Sequence, residues 1–138
     1  MLFRSEIYDA VMLLQPTCPF RKSIDINTVI KVISQGDVEC VVSVTRVEDY
    51  HPGRMYVLEQ NILKPYEENL ISVNRQNLPH VYHRNGSIYC TRIEVIKHHG
   101  IYGKIILPYV MSRENSINID DAFDWKIAEL IIGNSGKK

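Results

Sequence analysis

The sequence predicts an α/β fold with a mostly parallel sheet, and three consecutive segments lead to that prediction. Tyr8–Leu14 carries an unbroken apolar run, Ser23–Ile33 places its apolar residues at helical spacing, and Cys40–Val44 is rich in β-branched residues. A strand, a helix and a second strand in this order form a βαβ unit, whose crossover is right-handed and whose strands run parallel. We therefore expect the first two strands to pair with each other.

The first strand ends where a ligand site is expected. Ala10–Leu14 is apolar at every position, which predicts a strand covered on both faces. Pro16 stops the run because proline lacks a backbone donor and fixes a loop. Ligands bind outside the carboxyl ends of strands in parallel α/β sheets, so this loop makes Gln15, Thr17 and Arg21 candidate binding residues.

The helices are predicted from their caps and their periodicity. Ser23 and Asp25 supply N-cap oxygens for the first helix, and Gly36 stands at its C′ position. A second helix is predicted over Arg92–His99, ended by Gly100, and the last over Asp121–Ile132. The last helix has an apolar face made of Phe123, Ile127, Leu130 and Ile131, widened by Trp125 and Ala128.

The middle of the chain, Thr45–Asn77, is polar and interrupted by prolines. Within it, Met55–Leu58 and Ile62–Lys64 predict a two-stranded hairpin. Further strands are predicted at Ser87–Thr91 and Lys104–Leu107. We interpret residues 1–132 as one domain and residues 133–138 as a disordered tail.

Composition argues against several classes of protein. The chain has 138 residues and is 45% hydrophobic, which suits one domain with a core. Lysine plus arginine equals aspartate plus glutamate at 16 each, so there is no basic field for nucleic acid. No apolar run suits a membrane span or a signal peptide, and three cysteines without a CxxC pair predict reduced thiols in a cytoplasmic protein.

A polar cluster at the start of the last helix has two interpretations. Acidic residues in a first helical turn commonly cap free amides and favour the helix dipole. The alternative is a hard-cation site, since magnesium is usually held by one or two carboxylates plus substrate phosphates. The cluster consists of Asn118, Asp120, Asp121 and Asp124.

Two other segments also have a structural and a functional interpretation. Asn85-Gly86 predicts a tight turn between two short strands, or a loop that faces a ligand, because asparagine offers both a donor and an acceptor. Arg75-Gln76 is either solvated or an anion clamp, since the guanidinium fork matches a carboxylate. The histidines lack zinc-ligand spacing, and no nucleophile–base arrangement is evident.

Four segments in order resemble motifs of one enzyme family. They are LLQPTCPFR at 13–21, the pair His51-Pro52, NRQNLPHVYHRNGSIY at 74–89, and PYVMSRENSINIDDAFDWKIAE at 108–129. Their order and spacing resemble those of the acylneuraminate cytidylyltransferases, the CMP-sialic acid synthetase family. The resemblance implies a Rossmann-like sheet of the nucleotide-diphosphosugar transferase type.

The resemblance also implies a reaction. CMP would pass from CTP to a nine-carbon α-keto acid sugar of the sialic, legionaminic or pseudaminic type, with magnesium as cofactor and a homodimer as the assembly. Gln15, Arg75 and Gln76 would face the sugar, with Arg75 on its carboxylate. Asn85 would lie in the same pocket wall, and Arg21 follows Gln15 in the same motif.

The metal assignment rests on the last motif. Asp120 matches the second aspartate of the family's DID sequence and would act in catalysis by binding Mg²⁺. Asn118 stands where the family has the first aspartate, and its amide oxygen can coordinate a hard cation without adding negative charge. Cys18 likewise replaces the family's usual serine.

The beginning of the chain differs most from the family pattern. Nothing in the sequence resembles the family's opening strand and its triphosphate loop rich in Gly, Arg and Lys. We therefore expect a chain that lacks this segment and is impaired in catalysis by itself. The rival hypothesis is a non-catalytic dimerisation or sugar-binding remnant, and a third is that a separate polypeptide supplies the missing segment.

Overall fold

The computed structural model describes residues 8–135. Six strands and three helices occur within them, together with several one-turn 3₁₀ helices. In chain order they are β1 Ala10–Leu13, α1 Ser23–Ile33, β2 Cys40–Arg46, β3 Tyr56–Glu59, β4 Ile62–Pro65, β5 Tyr82–Arg92, α2 Ile93–His99, β6 Ile106–Val110 and α3 Ala122–Ser135.

The chain divides into two compact units, and each is described by itself. The first is formed by the described residues up to Thr45 together with those from Arg84 onward. The second is Arg46–His83, which contains the β3–β4 hairpin. None of the helices in the described residues is long and apolar enough to cross a membrane.

The main sheet is mixed, which corrects the prediction of a mostly parallel sheet. Its strand order is β1-β5-β2-β6. β1 pairs with β5 antiparallel, whereas β2 pairs with β6 in parallel. Ser43 contacts Ile88 and Cys40 contacts Thr91, so β2 and β5 also run in opposite directions.

The predicted pairing of the first two strands is therefore wrong, although both strands and the helix between them are present. β5 lies between β1 and β2. A strand–helix–strand pattern is local, and it does not reveal that a strand some forty residues further along inserts between the two. The α/β class is confirmed, and the parallel Rossmann-like arrangement is not.

β1 also differs from its prediction, because it is not covered on both faces. Its side chains alternate between half-buried and exposed, with Val11 45% and Leu13 43% exposed. It stands at one end of the described sheet, where Ala10 and Met12 face the core. The unbroken apolar run is thus compatible with a strand buried on one side only.

The core lies between α1 and the sheet. Val29 and Ile33 of α1 pack against Val41, Ile88 and Cys90. As predicted, Asp25 acts at the helix start, where its carboxylate accepts the Lys22 N–H at 2.6 Å. It also accepts a hydrogen bond from the Tyr109 hydroxyl at 2.7 Å, which links β6 to α1. Burial and this carboxylate raise the pKa of Tyr109 to about 12.

Asn85-Gly86 is not the predicted tight turn, because β5 continues through it as one strand of 11 residues. Gly86 has φ +78°, a left-handed conformation that favours glycine, and it interrupts the regular strand geometry. The Asn-Gly pair was a genuine local signal, although only Gly86 of the two has a positive φ. It marked an irregularity within a strand and not the end of one.

The remaining elements follow the predictions more closely. The hairpin is present, with Gln60 and Asn61 at positive φ between its strands. α2 ends at Gly100 as predicted. β6 begins two residues later than predicted and ends three residues later. α3 continues through residues 133–135, so the first half of the predicted tail is helical. Residues 136–138 lie outside the described part.

The apolar face predicted for α3 is only partly buried in the described chain. Ala128 is buried, while Phe123 and Leu130 are more than two-thirds exposed. Helical periodicity identifies an apolar side of a helix, but it does not supply a partner for that side. α3 begins as predicted, and its exposed apolar residues correct the assumption that the whole face joins the core.

Replacing Gly86 by alanine tests whether the irregularity in β5 is also a close contact. A Cβ at this position would collide with Gln15 Oε1 and lie 3.3 Å from the buried Cys18 Sγ. We expect Gly86→Ala to lower the free energy of unfolding by about 2 kcal/mol or more, since the left-handed backbone alone costs roughly 1–2 kcal/mol. Urea denaturation provides the measurement.

Gly36→Ala is the matched control, because Gly36 has φ +62° and open space around it. It pays the backbone cost without the collision. Equal destabilisation by the two substitutions would contradict a packing role for Gly86.

Candidate functional site

The loop after β1 is held against β5 by its own predicted site residues. The Cys18 N–H donates to the Gln15 carbonyl at 3.3 Å and closes a turn. Arg21 NH1 donates to the Gln15 carbonyl at 3.3 Å and to the Ser87 carbonyl at 2.7 Å. Part of the Arg21 guanidinium therefore orders the loop, and its predicted contact with a substrate remains a prediction.

Gln15 lies across the irregularity in β5. Its Oε1 occupies the space in which any side chain at position 86 would stand, so the glycine makes room for it. Gln15 is half-buried and its amide nitrogen has no hydrogen-bond partner in the described residues. Its side chain is thus placed by packing and keeps a donor for a ligand.

Asn85 is buried, only 2% exposed, and its amide is fully used by the protein. Its Oδ1 accepts the Ser43 hydroxyl at 2.6 Å and the Ser87 N–H at 3.1 Å. Its Nδ2 donates to Ser116 Oγ at 2.8 Å and lies 3.4 Å from Met111 Sδ. This geometry favours the structural interpretation of Asn85, as a bond between β2, β5 and the segment after β6.

A second hydrogen-bonded chain links the loop to the predicted metal residues. The one proton of the Cys18 thiol is shared between two acceptors, the Asn85 carbonyl at 3.3 Å and Asn118 Oδ1 at 3.4 Å. Asn118 Nδ2 in turn donates to Asp120 Oδ2 at 2.6 Å. Burial raises the pKa of the Cys18 thiol, which keeps it protonated as a donor at neutral pH.

The acidic cluster divides into two capping carboxylates and one carboxylate with a single bonded oxygen. Asp121 Oδ1 accepts the N–H groups of Phe123 and Asp124, and Asp124 Oδ2 accepts those of Asp120 and Asp121. These bonds cap α3, as the structural interpretation predicted. Asp120 Oδ1 has no hydrogen-bond partner among the described residues, and its carboxylate is exposed.

Asp120 and Asn118 are the two residues that could offer oxygen atoms to a hard cation. Within the described residues, no three His, Cys, Asp or Glu side chains converge on a metal position. One exposed carboxylate beside an amide nevertheless fits a hard cation that takes most of its ligands from phosphates and water, as magnesium usually does. The Asn118 oxygen faces the Cys18 thiol, so Asp120 is the better placed of the two.

The other two predicted residues, Arg75 and Gln76, belong to the second unit. They begin a one-turn helix, Arg75–Asn77, and line a cavity of about 380 Å³. Arg75 NH2 donates to Asp49 Oδ1 at 3.1 Å and to the Glu48 carbonyl at 3.3 Å. Its remaining N–H groups have no partner in the described chain, so the guanidinium keeps donors for an anion.

His51 holds this cavity together, and its role was not predicted. It is 5% exposed; its Nδ1 accepts the Gly53 N–H at 3.0 Å and its Nε2 lies 2.9 Å from the Pro79 carbonyl. These contacts fix the tautomer with the proton on Nε2. They also tie the turn after β2 to the segment that follows Arg75.

Two further arginines line the same cavity and were missed by the sequence analysis. Arg46 ends β2, and Arg54 ends the one-turn helix Pro52–Arg54. The sequence offered one signal, His51-Pro52-Gly53-Arg54, which places a cation directly after a turn. The predicted site residues divide between the two units. Arg75 and Gln76 belong to the second unit, and the first contains Gln15, Thr17, Arg21, Asn85, Asn118 and Asp120.

Comparison with known proteins gives consistent matches. The chain is 32% identical over 123 residues to an N-acylneuraminate cytidylyltransferase of Escherichia coli, covering 88% of this chain and 29% of that protein. It is 32% identical over 129 residues to a CMP-N,N'-diacetyllegionaminic acid synthase of Legionella pneumophila, covering 91% of this chain and 54% of that protein.

A third relative, an N-acylneuraminate cytidylyltransferase of Streptococcus agalactiae, is 31% identical over 119 residues. These residues are 83% of this chain and 28% of that protein. The chain thus spans about half, or less, of the length of the curated relatives it matches. No protein-family model matches the sequence.

Proposed function

Because this chain is a sequence relative of the acylneuraminate cytidylyltransferase family, we propose that it binds a nine-carbon α-keto acid sugar and contributes to transferring CMP to that sugar from CTP. The observation that supports this most directly is the cavity of the second unit, in which Arg75 and Gln76 stand together. A guanidinium fork with free donors suits a carboxylate, and a neighbouring amide suits sugar hydroxyls.

The first unit carries the residues that we propose for the metal. Asp120, with Asn118 beside it, would hold the magnesium ion, which neutralises charge on a transferring phosphate when bound. Gln15 would offer its free amide nitrogen to the substrate. Transfer of this kind depends mainly on positioning and charge neutralisation, so residues that orient the sugar hydroxyl matter as much as any acid or base.

The experiment is a calorimetric titration of the full chain with N-acetylneuraminic acid, followed by an assay of CMP-sugar formation from CTP and magnesium. We expect binding, and we expect Arg75→Ala to weaken it by roughly tenfold to a hundredfold, because charge-assisted hydrogen bonds contribute about 1.5–3 kcal/mol. Arg75→Lys keeps the charge and loses the fork, so it should recover only part of the affinity.

The outcomes separate the hypotheses. Turnover by the chain supports the synthase assignment, and binding without turnover supports the alternative of a sugar-binding module. Absence of binding at millimolar sugar, or binding that Arg75→Ala leaves unchanged, would overturn the proposed site.

A homodimer is the assembly that we propose, and the β3–β4 hairpin supports it. Leu58 stands directly opposite Leu63 on one face, and both are about two-thirds exposed. A lone two-stranded hairpin is only marginally stable in water, so an apolar face on it favours cover by another chain. Pairing with a second copy is also what the non-catalytic alternative requires, in which the chain acts as a dimerisation module.

Light scattering after gel filtration tests this assembly. We expect the native chain to have the mass of a dimer. The variant Leu58→Lys/Leu63→Lys should shift toward the monomer, because the lysines of one copy would be buried against those of the other copy. Ile24→Lys on α1, where Ile24 is 62% exposed, is the control and should leave the mass unchanged. A native monomer, or equal effects of both variants, would refute the proposal.

A further inference from the structure

The cavity of the second unit has three guanidinium groups in its wall, and they are not equivalent. Arg46 Nε lies 3.4 Å from Glu48 Oε1, and Arg75 NH2 lies 3.1 Å from Asp49 Oδ1. Each of these cations is therefore paired with a carboxylate. The Arg54 side chain has no ion pair and no hydrogen bond within residues 8–135.

The difference between paired and unpaired guanidinium groups determines which part of the cavity wall attracts an anion. The field of a guanidinium beside a carboxylate largely cancels beyond the pair, whereas an unpaired guanidinium acts with its whole charge. Arg75 can still direct N–H groups at a ligand, but its charge is already shared with Asp49. Among the arginines of the cavity wall, Arg54 carries the uncompensated positive charge.

The backbone holds Arg54 in a defined position. Its N–H donates to the His51 carbonyl at 2.8 Å, and the next N–H, of Met55, donates to the Pro52 carbonyl at 3.1 Å. A Cβ at Gly53 would stand 2.9 Å from Leu70 Cβ, so this turn is closely packed. The His51 contact with Pro79 joins the Arg54 turn to the segment after Arg75.

We propose that Arg54 is a carboxylate-binding residue of this cavity, where it supplies the charge that attracts the anionic sugar while Arg75 supplies direction through its fork. The proposal rests on the proposed function, because it takes the ligand to be a sugar acid. Arg54, which lies outside the Arg75-Gln76 pair, thus supplies the charge-dependent part of the affinity for the sugar acid.

The test compares an acid with its neutral analogue on the full chain. Calorimetric titrations use N-acetylneuraminic acid and its methyl ester, against the native chain and Arg54→Gln. We expect Arg54→Gln to weaken binding of the acid by roughly tenfold and to leave the ester within about twofold, since the lost interaction is with the charge. Raising the salt concentration should weaken acid binding to the native chain more than to Arg54→Gln.

Two further variants serve as controls. Arg54→Lys keeps the charge and should retain most of the affinity for the acid. Arg46→Gln/Glu48→Gln removes a whole ion pair from the same wall and should change affinity less than threefold, because an exposed ion pair contributes little. Arg54 and Arg46 are exposed, so circular dichroism should show native folding for each variant.

The results separate this inference from the function on which it rests. If the native chain binds neither compound, the proposed function and the inference both fail. If Arg75→Ala abolishes binding of the acid while Arg54→Gln leaves it unchanged, the sugar site stands and the role of Arg54 is refuted. An equal loss for acid and ester in Arg54→Gln would likewise refute a charge-based role.

Discussion

The buried amide of Asn85 joins three parts of the first unit that are far apart in sequence. It bonds to Ser43 of β2, to Ser116 after β6 and to the backbone of β5 itself. Each such hydrogen bond contributes about 0.5–1.5 kcal/mol net, but a buried partner left unsatisfied costs about 1–3 kcal/mol. Because the amide is saturated, the sheet irregularity at residues 85 and 86 is held in one conformation, and the loop after β1 is built on it.

The candidate site of the first unit depends on that conformation. Gln15 rests where Gly86 has no side chain, and Cys18 bonds to the Asn85 carbonyl and to Asn118. Asn118 then fixes Asp120 through its amide nitrogen. The second unit has a comparable centre in His51, which bridges the turn of Arg54 to Pro79. In each unit a buried side chain orders the polar groups around it.

The sequence predicted local structure well because caps, helix ends and hairpin turns are determined by neighbouring residues. The Asp25 contact at the start of α1, the Gly100 end of α2 and the hairpin all depend on residues close in the chain. The strand order was predicted wrongly because insertion of β5 between β1 and β2 is a non-local event. The capping role of Asp121 and Asp124 was anticipated, whereas the burial of Asn85 depends on Ser43 and Ser116, and the unpaired state of Arg54 depends on where carboxylates fall in space.

A double-mutant cycle between Asn85 and Ser43 measures how strongly the buried amide joins β5 to β2. Asn85→Ala, Ser43→Ala and the double variant are compared with the native chain by urea denaturation. If the buried amide joins β2 to β5, the coupling free energy is about 1 kcal/mol or more, since contacting residues in one network typically couple by roughly 0.5–3 kcal/mol. Destabilisations that add within about 0.3 kcal/mol, the behaviour of independent sites, would contradict it.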